Sequence, residues 1–162
     1  MVLIFFVLSI LAGLLGIHPL LDSLSPAPVN ETGICSAQEF VVVTKVLDGD
    51  TILVEGGEHV RLIGIEADEK DDSCFEQAKL RLEDLILNET VRLERDVSDV
   101  DLYSRCLRYV FLDGENINIQ MVAEGMAVAR FYEPDTAYKD EIIEAEQQAK
   151  ENGLGCKWEQ GR

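Results

Sequence analysis

The chain has 162 residues, enough for one modest hydrophobic core, so a single globular domain is expected. Its 31 acidic residues against 14 lysines and arginines leave a formal charge of −17. That excess excludes broad non-specific attachment to nucleic acid, so any role on phosphates must rest on a local basic site. Two histidines, His18 and His59, and four cysteines without CxxC spacing argue against a zinc site or a histidine-based catalytic triad.

Residues 1–21, MVLIFFVLSILAGLLGIHPLL, carry no charged side chain and are long enough to cross a hydrocarbon core of ~30 Å as a helix. They read as a hydrophobic helix outside the soluble fold, either a signal peptide or a transmembrane anchor. No lysine or arginine precedes Lys45, which leaves signal and anchor evenly matched, and the prolines that crowd the small residues of Ser25–Pro28 tilt the reading slightly towards an uncleaved anchor. The acids beyond the helix favour a domain facing outwards, membrane-anchored or secreted after cleavage. Residues 22–38 are polar, aperiodic and proline-containing, the pattern of a linker. Asn30-Glu31-Thr32 and Asn88-Glu89-Thr90 are glycosylation sequons. Cys35, Cys74, Cys106 and Cys156 allow two disulfides in three connectivities, or four reduced thiols. A Cys74–Cys156 bridge would close a long loop and contribute ~4 kcal/mol in the chain-entropy account.

From residue 39 the pattern is β. EFVVVTKVL, TILVE and HVRLIGI predict three sequential strands, joined by turns at Asp48-Gly49 and Gly56-Gly57. Ser73–Leu87 switches to helical spacing, with Phe75, Ala78, Leu82, Leu85 and Ile86 as the apolar stripe and Ser73 as N-cap. Strands return at TVRLERDV and at CLRYVFL, the latter closed by Asp113-Gly114. Helices follow over Ile117–Glu124, stopped by Gly125, and over Thr136–Asn152, stopped by Gly153. The order βββαββαα describes a mainly-β α+β chain. Turns too short for crossovers favour a small closed barrel over a parallel sheet. Between Glu133 and Glu151 stand seven acids (Glu133, Asp135, Asp140, Glu141, Glu144, Glu146, Glu151), which read as one solvated helix face far from any substrate.

Three segments carry the chemistry. In VLDGDTI, Asp50 opens a strand behind an Asp-Gly turn. In VRLIGIEADE, strand alternation puts Arg61, Ile63 and Ile65 on one face, with Glu66 at the strand end and Glu69 in the loop beyond. In DLYSRCLRYVF, Arg105 opens a strand after a loop with Asp99, Asp101 and Tyr103. Each alone has an ordinary reading as a hairpin, an exposed acid or a solvated edge arginine. Together, in order and with compatible spacing, they resemble the staphylococcal nuclease-like (thermonuclease) family from about Phe40 to Trp158.

That resemblance implies a five-stranded OB-fold barrel with three helices over residues 39–158, and a metal-dependent nuclease acting on DNA or RNA. It puts Asp50, Glu66 and a backbone carbonyl near Ala67 at the metal, Arg61 and Arg105 at the phosphate, and Glu69 at the catalytic glutamate. Tyr103 and the pair Phe131-Tyr132 fall beside the family's bound nucleotide, where rings stack on bases. Ca²⁺ is the implied ion, and hard oxygen ligands suit Mg²⁺ as well. The nucleic acid is the implied partner, with the membrane a second one if the N-terminal segment stays uncleaved; no obligate protein partner is implied.

The residue types suit the reaction. A guanidinium fork binds two phosphate oxygens and stays charged at any working pH, while a carboxylate can orient or deprotonate the attacking water. Arg108 and Lys45 are further candidates for phosphate contact. The loop Glu66-Ala67-Asp68-Glu69 departs from the family's Asp, small or hydroxyl residue, Pro, Glu. Asp68 in place of proline is expected to loosen the loop and add a third acid at the metal. A disulfide at Cys106 would fix the backbone of Arg105. Two non-enzymatic readings compete: a catalytically inactive OB module that binds nucleic acid, and a Ca²⁺-dependent surface interaction domain.

Overall fold

The structure, a computed structural model, describes residues 34–159. The apolar segment 1–21, the Asn30 sequon and most of the 22–38 linker lie outside the described residues. Within them, no helix is long and apolar enough to cross a membrane. In chain order the elements are β1 (Phe40–Val46), β2 (Thr51–Val54), β3 (His59–Leu62), β4 (Ile65–Glu66), α1 (Phe75–Ile86), β5 (Thr90–Glu94), β6 (Cys106–Leu112), β7 (Glu115–Asn116), α2 (Ile117–Ala123), β8 (Val128–Ala129), α3 (Lys139–Asn152) and α4 (Gly155–Trp158).

Period-two burial drives the sheet: Val41 and Val43 on β1, Ile52 and Val54 on β2, and Val60 and Leu62 on β3 are all buried. A bulge between Val43 and Lys45 shifts the register of β1 and lets Val46 turn inwards as well. β1, β2 and β3 form the predicted antiparallel meander, and β5 and β6 extend it on the other side of β1. β6 then returns parallel to β3, with Val60 opposite Cys106 and Leu62 opposite Arg108. This pairing closes β3-β2-β1-β5-β6 into the predicted five-stranded barrel. The seam is bolted from α2. The fully buried Asn118 accepts from the Val110 N–H at 2.9 Å and donates to the Ile63 carbonyl at 2.8 Å.

Several boundaries differ from expectation for tertiary reasons. The third strand breaks at Gly64, whose φ of +80° takes the chain off the ladder, and a Cβ there would lie 2.7 Å from Ile142 Cδ1 on α3. Leu62 and Ile63 are both buried, while Arg61, Ile63 and Ile65 all line one cavity, described below. Helix α1 starts at Phe75, with Cys74 rather than Ser73 at the N-cap position and no side-chain cap, although the predicted stripe residues Ala78, Leu82 and Ile86 are buried. Helix α3 starts at Lys139 rather than Thr136. Tyr138 is held back by packing edge-on to Tyr109, with ring centroids 4.6 Å apart, and by its hydroxyl donating to Glu94 at 2.7 Å. α4 is a four-residue addition to the three predicted helices.

The cysteines are bridged as Cys35–Cys106 and Cys74–Cys156, across Cα separations of 5.2 and 5.3 Å. They close loops of 71 and 82 residues. The first ties the segment ahead of β1 to the residue after Arg105; the second ties α4 to the start of α1.

Candidate active site

One cavity of about 770 Å³ opens where β2, β3, the 66–69 loop, the 98–105 loop and the 130–135 loop meet. Asp50, Arg61, Glu66, Glu69, Tyr103, Arg105 and Tyr132 all line it, so the fold brings these predicted residues together. Ala67, Phe131, Arg108 and Lys45 do not line it.

Asp50 sits at the cavity's inner edge, 6% exposed. Gly49 before it lets the turn pack under the 66–69 loop and α1, because a Cβ at 49 would lie 2.6 Å from both Ala67 Cβ and Ala78 Cβ. The Asp50 carboxylate accepts from the Ala67 N–H at 2.7 Å and from the Thr51 hydroxyl at 3.0 Å, and stands 3.1 Å from Arg61 Nε. Burial pushes its pKa up, and the Arg61 charge and the Ala67 N–H oppose the rise only in part, leaving it at about 6. Arg61 also donates to the carbonyls of Leu62 and, at 2.8 Å, Ile65, so the backbone that leaves the barrel after β3 fixes its guanidinium.

Arg105 is organised by Asp101. One carboxylate oxygen of Asp101 accepts from the N–H groups of Tyr103 at 2.8 Å and Arg105 at 3.0 Å; the other accepts from Arg105 Nε at 2.7 Å. The turn places Ser104 at φ 62°. The Arg105 guanidinium lies 5.6 Å from the centroid of the Tyr103 ring. Tyr103 and Tyr132 are 82% and 63% exposed, on the surface rather than packed in the core. Glu66 stands 3.5 Å from Arg130, and the exposed Glu69 side chain has no hydrogen-bond partner among the described residues.

Three expectations need correcting. Asp68 does not face the cavity or loosen its loop: it accepts from Lys157 and, at 3.0 Å, from the Cys74 N–H. Burial works to raise its pKa, but those hydrogen bonds and the Lys157 charge prevail and lower it. Arg108 is 7% exposed and directed into the protein, onto Asp99 at 2.7 Å and two carbonyls, so it has no reach to a phosphate. Glu133 and Asp135 precede α3 and line the cavity instead of joining a remote solvated face.

The sequence reading missed Arg130, Asp48 and the roles of Asp101 and Asp135. Arg130 carried a signal, since it lies two residues before Tyr132 in an extended stretch and therefore projects to the same side. Asp135 carried none. It is 5% exposed and accepts from Val97 at 3.0 Å and Ser98 at 2.7 Å, tying the two rim loops together.

Seven acids and three arginines line the cavity (Asp48, Asp50, Glu66, Glu69, Asp101, Glu133, Asp135; Arg61, Arg105, Arg130). An anionic phosphate entering such a site needs added positive charge, and the donors available are hard oxygens suited to Ca²⁺ or Mg²⁺. Among the described residues no three acids, cysteines or histidines stand close enough to share an ion. Asp50 and Glu66 could therefore hold one only with backbone carbonyl, water or substrate oxygens completing its shell.

A closed five-stranded barrel with guanidinium and carboxylate groups meeting at one cavity places the chain among small OB-type barrel proteins. Among these, the chain belongs to the staphylococcal nuclease family: residues 59–160 match the family described as Staphylococcal nuclease homologue. It is 34% identical over 139 residues to the thermonuclease of Staphylococcus hyicus, covering 76% of this chain and 79% of that protein. Against the thermonuclease of Staphylococcus intermedius it is 35% identical over 136 residues, covering 75% and 77%. With an uncharacterized endonuclease of Haemophilus influenzae it shares 37% identity over 118 residues, 70% of this chain and 63% of that one.

Proposed function

We infer that the chain is a nuclease, a hydrolase of phosphodiester bonds in DNA or RNA, that works with a divalent cation. Family membership and relatives named thermonuclease and endonuclease support the activity. The observation that carries the reading to particular residues is the convergence of Arg61, Arg105, Glu69, Asp50 and Glu66 on one cavity.

In this reading Arg61 and Arg105 donate N–H groups to the phosphoryl oxygens, where charge builds as water adds to phosphorus. Glu69, free of hydrogen-bond partners among the described residues, takes the proton of that water. The bond from phosphorus to the leaving oxygen breaks, and that oxygen takes a proton from solvent. Asp50 and Glu66, with the backbone near Ala67, would hold the cation; Ca²⁺ would be the preferred ion and Mg²⁺ an alternative. When bound, the cation supplies Lewis-acid relief of phosphate charge. Tyr103 and Tyr132 stack on the bases. Residues 1–21 serve as an anchor or signal and 22–38 as the linker that holds the 39–158 domain outside the membrane.

The test is cleavage of single-stranded DNA, duplex DNA and RNA by the full-length chain with Ca²⁺, Mg²⁺ or chelator. Glu69→Gln is expected to lower kcat by roughly 100-fold or more while nucleotide binding persists. A folded wild type that binds nucleotide but cuts nothing with either ion would leave the non-enzymatic binding module as the better description.

A further inference from the structure

The three arginines of the cavity are not equally committed. Arg61 is directed to Asp50 and to the carbonyls of Leu62 and Ile65. Arg105 uses Nε on Asp101 and reaches Thr51 Oγ1 at 3.5 Å. Arg130 uses Nε alone, 3.3 Å from the Tyr132 hydroxyl and 3.5 Å from Glu66. Among the described residues its two terminal nitrogens take no hydrogen-bond partner.

The rest of Arg130 is well held. It directly follows β8, which pairs with β4 through Ile65–Ala129 and Glu66–Val128, and its own N–H donates to the Gly64 carbonyl at 2.9 Å. The guanidinium lies 5.4 Å from the centroid of the Tyr132 ring. Its side chain is 58% exposed and that of Glu66 47%, so this ion pair lies in water, where a competing anion readily displaces it. A planar fork backed by an aromatic ring, anchored at Nε and open at its terminal N–H pair, is a receptor for two oxygens of one phosphate.

We propose that Arg130 binds a second phosphate of the substrate strand, next to the one being hydrolysed, and so favours polymeric substrates over mononucleotides. The inference rests on the nuclease reading, in which Arg61 and Arg105 hold the scissile phosphate around Asp50. Arg130 stands at the rim beside Tyr132, and neighbouring phosphates of a strand flank a single nucleoside. A base stacked on Tyr132 thus carries one phosphate inwards and one to Arg130. On a molecule of charge −17, this guanidinium is what the outer phosphate meets at the rim.

The experiment compares full-length wild type, Arg130→Ala and Arg130→Lys by calorimetric titration with adenosine 3′,5′-bisphosphate and adenosine 5′-monophosphate, both phosphomonoesters, in saturating Ca²⁺. Expected is a fall of ~10-fold or more in bisphosphate affinity for Arg130→Ala, partial recovery in Arg130→Lys, and monophosphate affinity within about twofold of wild type. Equal losses for both ligands, or none for either, would overturn the proposal. A parallel cleavage assay on an oligonucleotide separates the two readings. Wild type and Arg130→Ala cutting equally well sinks the inference alone. A folded wild type that neither binds nor cuts sinks the nuclease reading and the inference together.

Discussion

Asp101 shows how one side chain can govern another. Its carboxylate holds the backbone N–H groups of Tyr103 and Arg105 and the Arg105 side chain at once, in a turn that takes Ser104 to positive φ. Catalytic geometry is sensitive to displacements of about 1 Å, so under the proposed function releasing Arg105 from this clamp costs transition-state contacts more than folding. Asp101→Ala is expected to lower kcat/KM by about 10-fold to 100-fold. Asp101→Asn should recover part of the loss, because its amide oxygen still accepts the backbone N–H groups. Steady-state kinetics beside thermal melts check this, and an unchanged kcat/KM in Asp101→Ala would refute the positioning role.

At the scale of elements, the barrel closes through a parallel pairing of β3 and β6 that no local turn specifies. Asn118 on α2 supports that seam by serving the buried Val110 N–H and Ile63 carbonyl together. Asn118→Ala strands both groups, and a buried unpaired donor or acceptor costs about 1–3 kcal/mol. Urea unfolding should register a loss of about 2 kcal/mol or more; a loss below about 0.5 kcal/mol would mean that relaxation or water satisfies the seam instead.

For the whole molecule, charge decides both stability and substrate approach. Four carboxylates are held below their ordinary values: Glu94 chiefly by the Tyr138 hydroxyl, Glu124 by Arg81, and, against the effect of their burial, Asp99 by Arg108 and the Cys35 N–H and Asp68 by Lys157 and the Cys74 N–H. Groups with depressed folded values add stability above their unfolded values, 3.8 for aspartate and 4.5 for glutamate, and lose it as pH falls through the folded ones. The melting temperature should therefore drop steeply below about pH 4, and a flat profile down to about pH 2.5 would contradict these assignments. The charge of −17 also repels a polyanion at long range. Raising salt from about 0.01 M to about 0.15 M shortens the screening length from about 30 to 8 Å. At saturating cation, kcat/KM should first rise with salt and fall only when the local arginine contacts are screened. A monotonic fall would show that the local basic site already dominates encounter.

The sequence by itself determined the local patterns and the chemistry that the residue types permit. Alternating valines and isoleucines predict the strands of the meander, the stripe through Ala78, Leu82 and Ile86 predicts α1, and glycines 125 and 153 mark helix ends. The ordered motifs around Asp50, Arg61, Glu66, Glu69 and Arg105 were legible as a site through their resemblance to the staphylococcal nuclease family; strand period and turn chemistry, which are short-range properties, gave only their places at strand ends and loops. Only the tertiary structure decided what depends on contacts distant in the chain. It chose among the cysteine connectivities, broke the third strand at Gly64 against α3, and delayed α3 so that Tyr138 could reach Glu94 and Tyr109. It also directed Arg108 and Asp68 to internal partners and brought Arg130, Asp101 and Asp135 to the cavity. A side chain's type says which partners it accepts; which partner it meets is settled by the closing of the barrel.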